Sequence, residues 1–390
     1  VGYSVYAEPV SLPPAALSGV VIGQSDLLPA TYSLTAKGAH RFLAAPPLDN
    51  PLRLAFGGFD LVFVLVFILP LVIIALLFDV VAGERERGVW PIAVAQGAAL
   101  LPMVLGKCLA RALAVGVALL LALPVAALVA GFELRQDAAL ARMGLWLLAA
   151  LLYAAFWIAL SLWVNARPRA SDRNASLLAA AWLLLVVVAP PATNLIATTW
   201  YPAPSRVALT TELREATEEA DREAAQERDR YFFDHPEMQG GEMDRTAYFK
   251  SVARSERQID AAMRPLLAAF DERAAEQRSV IDGLQYASPA TLFYRIATAL
   301  AGSDGVRHAA FRRQAVDFHA VWSEYFGMRL ERSAPLGPTD YDSLPTFRFV
   351  EPPLTSDAAQ RLWLPMLALA LVTIALAWHA ISRLRRMPVS

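Results

Sequence analysis

Five stretches of this sequence are long and apolar enough to cross a bilayer, and they constrain the chain more than anything else in it. They run from Leu61 to about Val81 (LVFVLVFILPLVIIALLFDVV), from about Ala112 to Ala130, from Leu145 to Val164, from Leu177 to about Thr198 and from Leu362 to Ile381. A helix needs roughly 20 residues to span the hydrocarbon core, and none of the five carries Lys or Arg in its middle. Asp79 falls at the end of the first stretch, within reach of the headgroups. Pro70 and Pro124 fall inside spans, where neighbouring helices tolerate them. Over 390 residues the chain is 56% hydrophobic and 18% charged, with a mean hydropathy of +0.40; soluble domains sit at about 25% charged. The expected fold class is an all-α membrane protein.

Positive residues set the orientation. Arg85, Arg87 and Lys107 follow the first stretch, Arg167, Arg169 and Arg173 the third, and Arg383, Arg385 and Arg386 the fifth. With alternating spans these three regions share one side, the cytoplasmic one. The other side receives residues 1–59, the short loop around Phe132–Met143 and the long segment from about Trp200 to Gln360. Trp200, Tyr201 and Trp363 stand where interfacial aromatics belong. The organisation is an extracytoplasmic segment 1–59, a four-helix bundle 60–199 with a charged cytoplasmic region 83–107, an extracytoplasmic helical domain 200–360, and a last span with a basic tail, 361–390. Residues 1–59 contain neither a signal peptide nor a spanning helix, and the first residue is Val. This reading therefore expects one more N-terminal span, six in all, with both termini cytoplasmic.

The outer segment from about Ser205 to Gln360 holds most of the charge, acids outnumbering bases. Thr210–Arg230 is almost entirely polar and helix-forming, with Thr210 or Thr211 as candidate cap and acids in the first turn. A turn follows at His235–Gly241. From Ala247 to about Gln285, Val252, Ile259, Met263, Leu266, Phe270 and Ala274 recur at mostly three- and four-residue spacing, one apolar stripe suited to a partner helix. A third helix, Ala309 to about Leu330, follows the turn Gly302–Gly305, and the remainder to Pro353 is Pro-rich and extended. The module reads as a helical hairpin or small bundle.

Several chemistries are excluded. The net charge of −1 and the pI near 6.6 supply no basic field for nucleic acid. One cysteine, Cys108, rules out an intrachain disulfide and a Cys-rich metal site. His235, Glu237, Met238, Glu242 and Met243 match no ligand spacing and read as a solvated turn. His308 and His319 share a helix face about three turns apart, too far for one metal. No P-loop, GxSxG elbow or HExxH occurs. The chain is expected to have no catalytic site and no cofactor or metal of its own.

The informative motif is Gly83-Glu84-Arg85-Glu86-Arg87-Gly88-Val89-Trp90, directly after the first span, with Gly106-Lys107 opening the second. Four alternating charges at a membrane exit serve as an anchoring loop or as a short helix that offers carboxylates and guanidiniums to a soluble partner. The run Phe59–Arg111 resembles the core of ABC-2 type permeases, in which such an element and a following Gly-Lys flank the coupling helix that docks on the ATP-binding subunit. The outer part resembles a branch of bacterial ABC-2 permeases with a large insert before the last span. The matching pieces are Tyr286-Ala287-Ser288-Pro289-Ala290, Ala301-Gly302-Ser303-Asp304, Arg307 and Phe311-Arg312-Arg313-Gln314, with Asn50-Pro51 and Gly57–Asp60 leading into the first span. The resemblance covers roughly residues 45–390 and lacks the family's first spanning helix.

The resemblance implies a permease subunit of an ATP-driven transporter, an exporter more than an importer, in a bacterial inner membrane with the insert in the periplasm. It implies coupling through Glu84, Arg85, Glu86, Arg87, Gly88, Trp90 and Lys107, and a family-like outer motif of Ser288, Pro289, Gly302, Asp304, Arg307, Phe311 and Gln314. ATP and Mg would sit on a partner ATP-binding subunit. A second permease chain, identical or paralogous, membrane lipid and a periplasmic protein complete the expected partners. The alternative is a membrane-anchored receptor or scaffold whose outer helices bind a protein or ligand; a membrane enzyme rests only on scattered His and Glu residues.

Overall fold

The computed structural model describes residues 7–35 except 16 and 24–27, then 59–89, isolated positions between 92 and 96, 100–129, 139–202, 206–234, 245–331, 337–352 and 356–386. The turn at His235–Gly241, the Asn50-Pro51 pair and Trp90 lie outside the described residues. Among the described residues, five helices are long and apolar enough to span a membrane: Leu61–Glu86, Leu101–Ala126, Ala139–Asn165, Ser171–Trp200 and Arg361–Leu384. All five expected spans are present, and the chain is a multi-pass membrane protein with a large, mostly helical extracytoplasmic domain. The helices extend past the stretches read from composition at one or both ends, the second by eleven residues at its start, Leu101 against about Ala112.

The third span is the hub. It packs against the first, second and last spans, and its Trp146, Tyr153 and Trp157 are fully enclosed. Lipid is as apolar as Leu, so close packing and interhelical hydrogen bonds, more than the hydrophobic effect, hold such helices together. The second span shows lipid or a partner most of its surface, including Leu109, Leu113, Leu121 and Leu128. Cys108 is buried and free.

Two spans contain π-helical turns, Val64–Ile68 in the first and Leu183–Val188 in the fourth. Each is followed by proline, Pro70 and Pro190. These prolines lie about 14–15 Å below the outer ends of their helices, at similar depth. A proline cannot donate to the preceding turn, so a carbonyl is left open at each site. Tyr153 donates its hydroxyl to Val66 O at 3.0 Å, one of the carbonyls one turn before Pro70, and Trp182 Nε1 donates to Phe67 O at 3.1 Å. In the fourth span, Ala189 N–H closes a π bond to Leu184 O. The next acceptor, Leu185 O, loses its donor to Pro190 and takes one from Ser288 Oγ at 2.5 Å.

Ser288 belongs to the segment read as wholly outside the membrane, and here the structure differs. The outer region contains α1 (Arg206–Asp234), α2 (Arg245–Leu284), a 3-10 turn Gln285–Ala287, α3 (Pro289–Ala301) and α4 (Gly305–Glu331). α2 descends beside the outer end of the fourth span, where Gln277 Nε2 donates to Tyr201 O at 2.9 Å. The tip at Ser288 then meets Leu185, about 20 Å along that helix from Trp200. α3 climbs back through the bundle, its Phe293 stacked on Tyr153 with ring centroids 4.8 Å apart. Phe293, Ile296 and Ala297 are fully buried in the core shared with the spans. The pair α2–α3 is thus a re-entrant hairpin, and its non-helical tip is tolerated because protein surrounds it.

Helix starts also moved. α1 begins at Arg206, soon after Pro202 and Pro204, so Thr210 and Thr211 lie inside it and do not cap it. α4 begins at Gly305 because Asp304 Oδ1 accepts from Arg307 N at 3.2 Å. Of the expected apolar stripe, Ile259 and Met263 are buried against Ala220 of α1, making α1 and α2 a hairpin.

The N-terminal segment is not a bare leader. Glu8–Ser11 (β1) and Thr31–Leu34 (β2) pair antiparallel with Val10 opposite Tyr32. Val10 and Leu34 are buried with Phe311 and Ala315 of α4, flanked by Phe347 and Phe349 from the extended stretch that follows. Strands of four residues leave almost no periodic pattern in the sequence, which is why the hairpin was not expected.

Candidate functional site

On the cytoplasmic side the first span ends in a short helix, Ala82–Glu86, that runs on from it after a turn and is closed by Gly88 at φ 69°. The charges of the motif are spent largely within the bundle. Glu84 Oε1 lies 2.8 Å from Lys107 Nζ of the second span and 3.2 Å from Arg87 Nη2. Arg111, one turn beyond Lys107, sits 3.6 Å from Asp79 and donates to Leu76 O. Arg87 also reaches Asp79 at 4.0 Å. Asp79 therefore serves an ion-pair network between the first and second spans, and the Lys107 that opens the second span in sequence is the partner of Glu84.

Glu86 goes elsewhere. Its two carboxylate oxygens accept from Ser171 N and Ser171 Oγ, both at 2.7 Å. Ala170, the cap residue of the fourth span, makes no side-chain cap, so Glu86 satisfies a first-turn N–H and places a negative charge at the positive end of that helix. Beneath this contact Asn165, almost wholly buried, donates to Leu77 O and Ser161 O at 2.9 Å each and accepts from Asn174 Nδ2 at 3.3 Å. The turn after the first span is thereby fastened to the second, third and fourth spans. Arg87, Gly88 and Val89 are exposed, Arg85 half-exposed. Glu86 is exposed too, so the surface this element leaves open runs over Glu86–Val89, with Glu86 and Arg87 also holding contacts inside the chain.

The outer motif residues converge on the joints of the outer region. Ser288 both donates to Leu185 O and caps α3, accepting from Thr291 N at 3.2 Å, and Pro289 takes the first helical position, where its missing N–H costs nothing. Gly302 ends α3 at φ 72°, and a Cβ there would stand 2.8 Å from Ala15 Cβ. Arg307 pairs with Glu351 and donates to Pro13 O at 2.9 Å, tying α4 to both the N-terminal segment and the extended stretch. Phe311 stacks on Tyr32 at 5.5 Å. Gln314 exchanges two hydrogen bonds with the Val350 backbone, 2.7 and 2.9 Å.

Asp60, last of the Gly57–Asp60 element, caps the first span through Phe63 N at 2.8 Å and accepts from Ile22 N and Gly23 N with its other oxygen. It ties the N-terminal segment to the membrane bundle and was not singled out as a site residue. His308 meets Pro29 O at 3.1 Å and His319 meets Ser323 at 3.3 Å, so the two serve separate packing contacts. Among the described residues no group of His, Cys, Asp and Glu could hold a metal ion.

Residues 206–350 match a family model described as a domain of unknown function, DUF3526. The match takes in α1 to α4 and therefore includes the re-entrant α3 and every residue of the outer motif. Among curated proteins, none matches the chain.

Proposed function

We propose that the chain is the permease subunit of an ATP-driven transporter of the ABC-2 type, acting as an exporter in a bacterial inner membrane. A second permease chain pairs with it, and separate ATP-binding subunits hold ATP and Mg; hydrolysis belongs to them, not to this chain. The observation that carries the reading is the fastening of the cytoplasmic turn. Glu84 holds the second span through Lys107, and Glu86 holds the start of the fourth through Ser171. A subunit that pushes on exposed Arg87–Val89 therefore moves several helices at once. The two proline-associated π turns in the outer half, each closed by a side chain from another element, supply places where the first and fourth spans can bend.

The test is purification of the tagged full-length protein from its native membrane in mild detergent, with mass spectrometry of what accompanies it. A stoichiometric ATP-binding subunit supports the assignment and shows whether a paralogous permease shares the complex. Its absence even after mild crosslinking overturns it.

The α1–α2 hairpin favours a second reading, a receptor or scaffold that captures a protein. Its 29- and 40-residue helices meet through a small cluster around Ala220, Ile259 and Met263 and turn a charged surface outward. Because α3 is built into the membrane bundle, the comparison is made on the full chain. Capture of a periplasmic protein with no ATPase in the complex favours this alternative.

A further inference from the structure

Between the re-entrant hairpin and the outer end of the last span lies a groove of about 470 Å³, lined by Asp282, Gln285, Tyr286, Arg295, Arg361 and Leu364 among others. We propose that this groove binds the headgroup of an amine-bearing glycerophospholipid of the outer leaflet, with its phosphate on Arg361 and Arg295 and its ammonium on Asp282 and Gln285. The site stands independently of the transport reading.

Depth places it. Arg361 opens the apolar part of the last helix, two residues from the half-exposed Trp363, the level at which phosphates and interfacial aromatics sit. Asp282 lies one to two turns deeper along α2 than Gln277, which marks the top of the fourth span at Tyr201. The groove is therefore at headgroup height and opens beside the lipid-facing Leu364, Leu367 and Leu371, along which acyl chains can run.

Charge and hydrogen-bonding capacity define the ligand. Arg361 is exposed at the start of the apolar stretch and feels the field of Asp304. Arg295 Nη1 lies 2.5 Å from Asp282 Oδ1, at an angle that makes no hydrogen bond. Gln285, 6% exposed, spends its amide on Asp282 O at 2.6 Å and keeps a buried Oε1 with no donor. Asp304 accepts from Arg307 N and stands as a second counter-charge to Arg361 and Arg295, so two guanidiniums face two carboxylates. The lining thus offers donors and acceptors in balance. A glycerol headgroup brings hydroxyl donors but adds a net negative charge to a lining whose two guanidiniums already face two carboxylates, and a choline would bring no N–H to Gln285. Phosphate with a primary ammonium meets both sets.

The test is native mass spectrometry of the full-length protein in detergent, titrated with phosphatidylethanolamine, phosphatidylglycerol or phosphatidylcholine. The expected result is preferential retention of phosphatidylethanolamine. R361A should weaken it roughly tenfold, the usual worth of a charge-assisted hydrogen bond, and R361K by less, since it keeps the charge without the fork. D282N should erase the preference over phosphatidylglycerol. Melting temperatures separate lost binding from lost folding; should R361A unfold, R361K and D282N carry the test. Equal retention of the three lipids, or adducts unchanged in the variants, overturns the proposal. So does competition by millimolar free phosphoethanolamine, which would make the site one for a soluble ligand.

Discussion

Glu86 and Ser171 lie 85 positions apart in the chain and share two 2.7 Å hydrogen bonds, from the serine amide and from its hydroxyl. The carboxylate does from a distance what a local cap does for most helices: it answers an orphan N–H at the start of the fourth span. The contact is solvent-exposed, so its worth to folding is small; its value is geometric, because it makes the turn after the first span and the start of the fourth move as one body. With Glu84 on Lys107, the same five-residue helix holds two other spans in register.

E86A should therefore leave the melting temperature almost unchanged and, on the proposed permease reading, lower the coupling between ATP hydrolysis and membrane movement several-fold in the reconstituted complex. E86Q, which keeps an acceptor oxygen, should fall between. Cysteines at 86 and 171, in a background without Cys108, should crosslink readily in membranes. Wild-type coupling in E86A would remove the turn from the transmission path.

Tyr153 and Pro70 form a testable pair. Y153F deprives Val66 O of its donor and should cost about 1 kcal/mol, in the range measured for interhelical hydrogen bonds in membranes. In a P70A background the backbone N–H returns and can bond Val66 O itself, so the same Y153F change should cost much less. Thermal unfolding of the four proteins in one detergent gives the double-mutant cycle; equal costs in both backgrounds would mean that the hydroxyl is not replacing the proline's missing donor.

The spans were legible because about 20 apolar residues in a row have few other uses. Their joints were not. Pro70 and Pro190 were visible in the sequence, but which neighbour closes each open carbonyl depends on Tyr153 and Ser288, 87 and 103 positions away. α3 had its own mark: Phe293, Ile296, Ala297 and Leu300 at i, i+3, i+4 and i+7, opened by Ser288-Pro289. At 13 residues it is too short to span, so composition assigned it to the outside, when re-entry is the other use for a short apolar helix. The GERERG charges were found as a motif, but only the fold reveals that both carboxylates bond to other spans, Glu84 to Lys107 and Glu86, at the surface, to Ser171.

Ser288 carries two duties, so S288A should be among the more damaging small substitutions. Loss of the α3 cap and of the donor to Leu185 O together should cost about 2–4 kcal/mol, read as a lowered melting temperature in detergent. S288T keeps a hydroxyl and should recover part of it.

Gly302 tests how the N-terminal segment is held. At φ 72° an alanine costs about 1–3 kcal/mol from backbone strain alone, and its Cβ would press on Ala15 at 2.8 Å. G302A should lower the melting temperature and expose residues 7–23 to protease. A15G in the same chain should relieve the collision but not the strain, so recovery should be partial; full recovery would show that the left-handed backbone carries no cost here.

His308 gives that attachment a pH dependence. Burial pushes its imidazole below the ordinary range, Arg312 pushes the same way, and the hydrogen bond to Pro29 O opposes them. The folded state therefore prefers the neutral ring, while the free chain takes a proton near its ordinary value of about 6.5. The contribution is complete above that value and is lost as pH falls through the lower folded value. Hydrogen exchange of residues 28–35, corrected for the intrinsic pH dependence, should show protection at pH 7.5 that weakens by pH 5. H308Q, a donor that does not titrate, should keep the protection and flatten its pH dependence. An unchanged slope in H308Q would assign the pH response to another group.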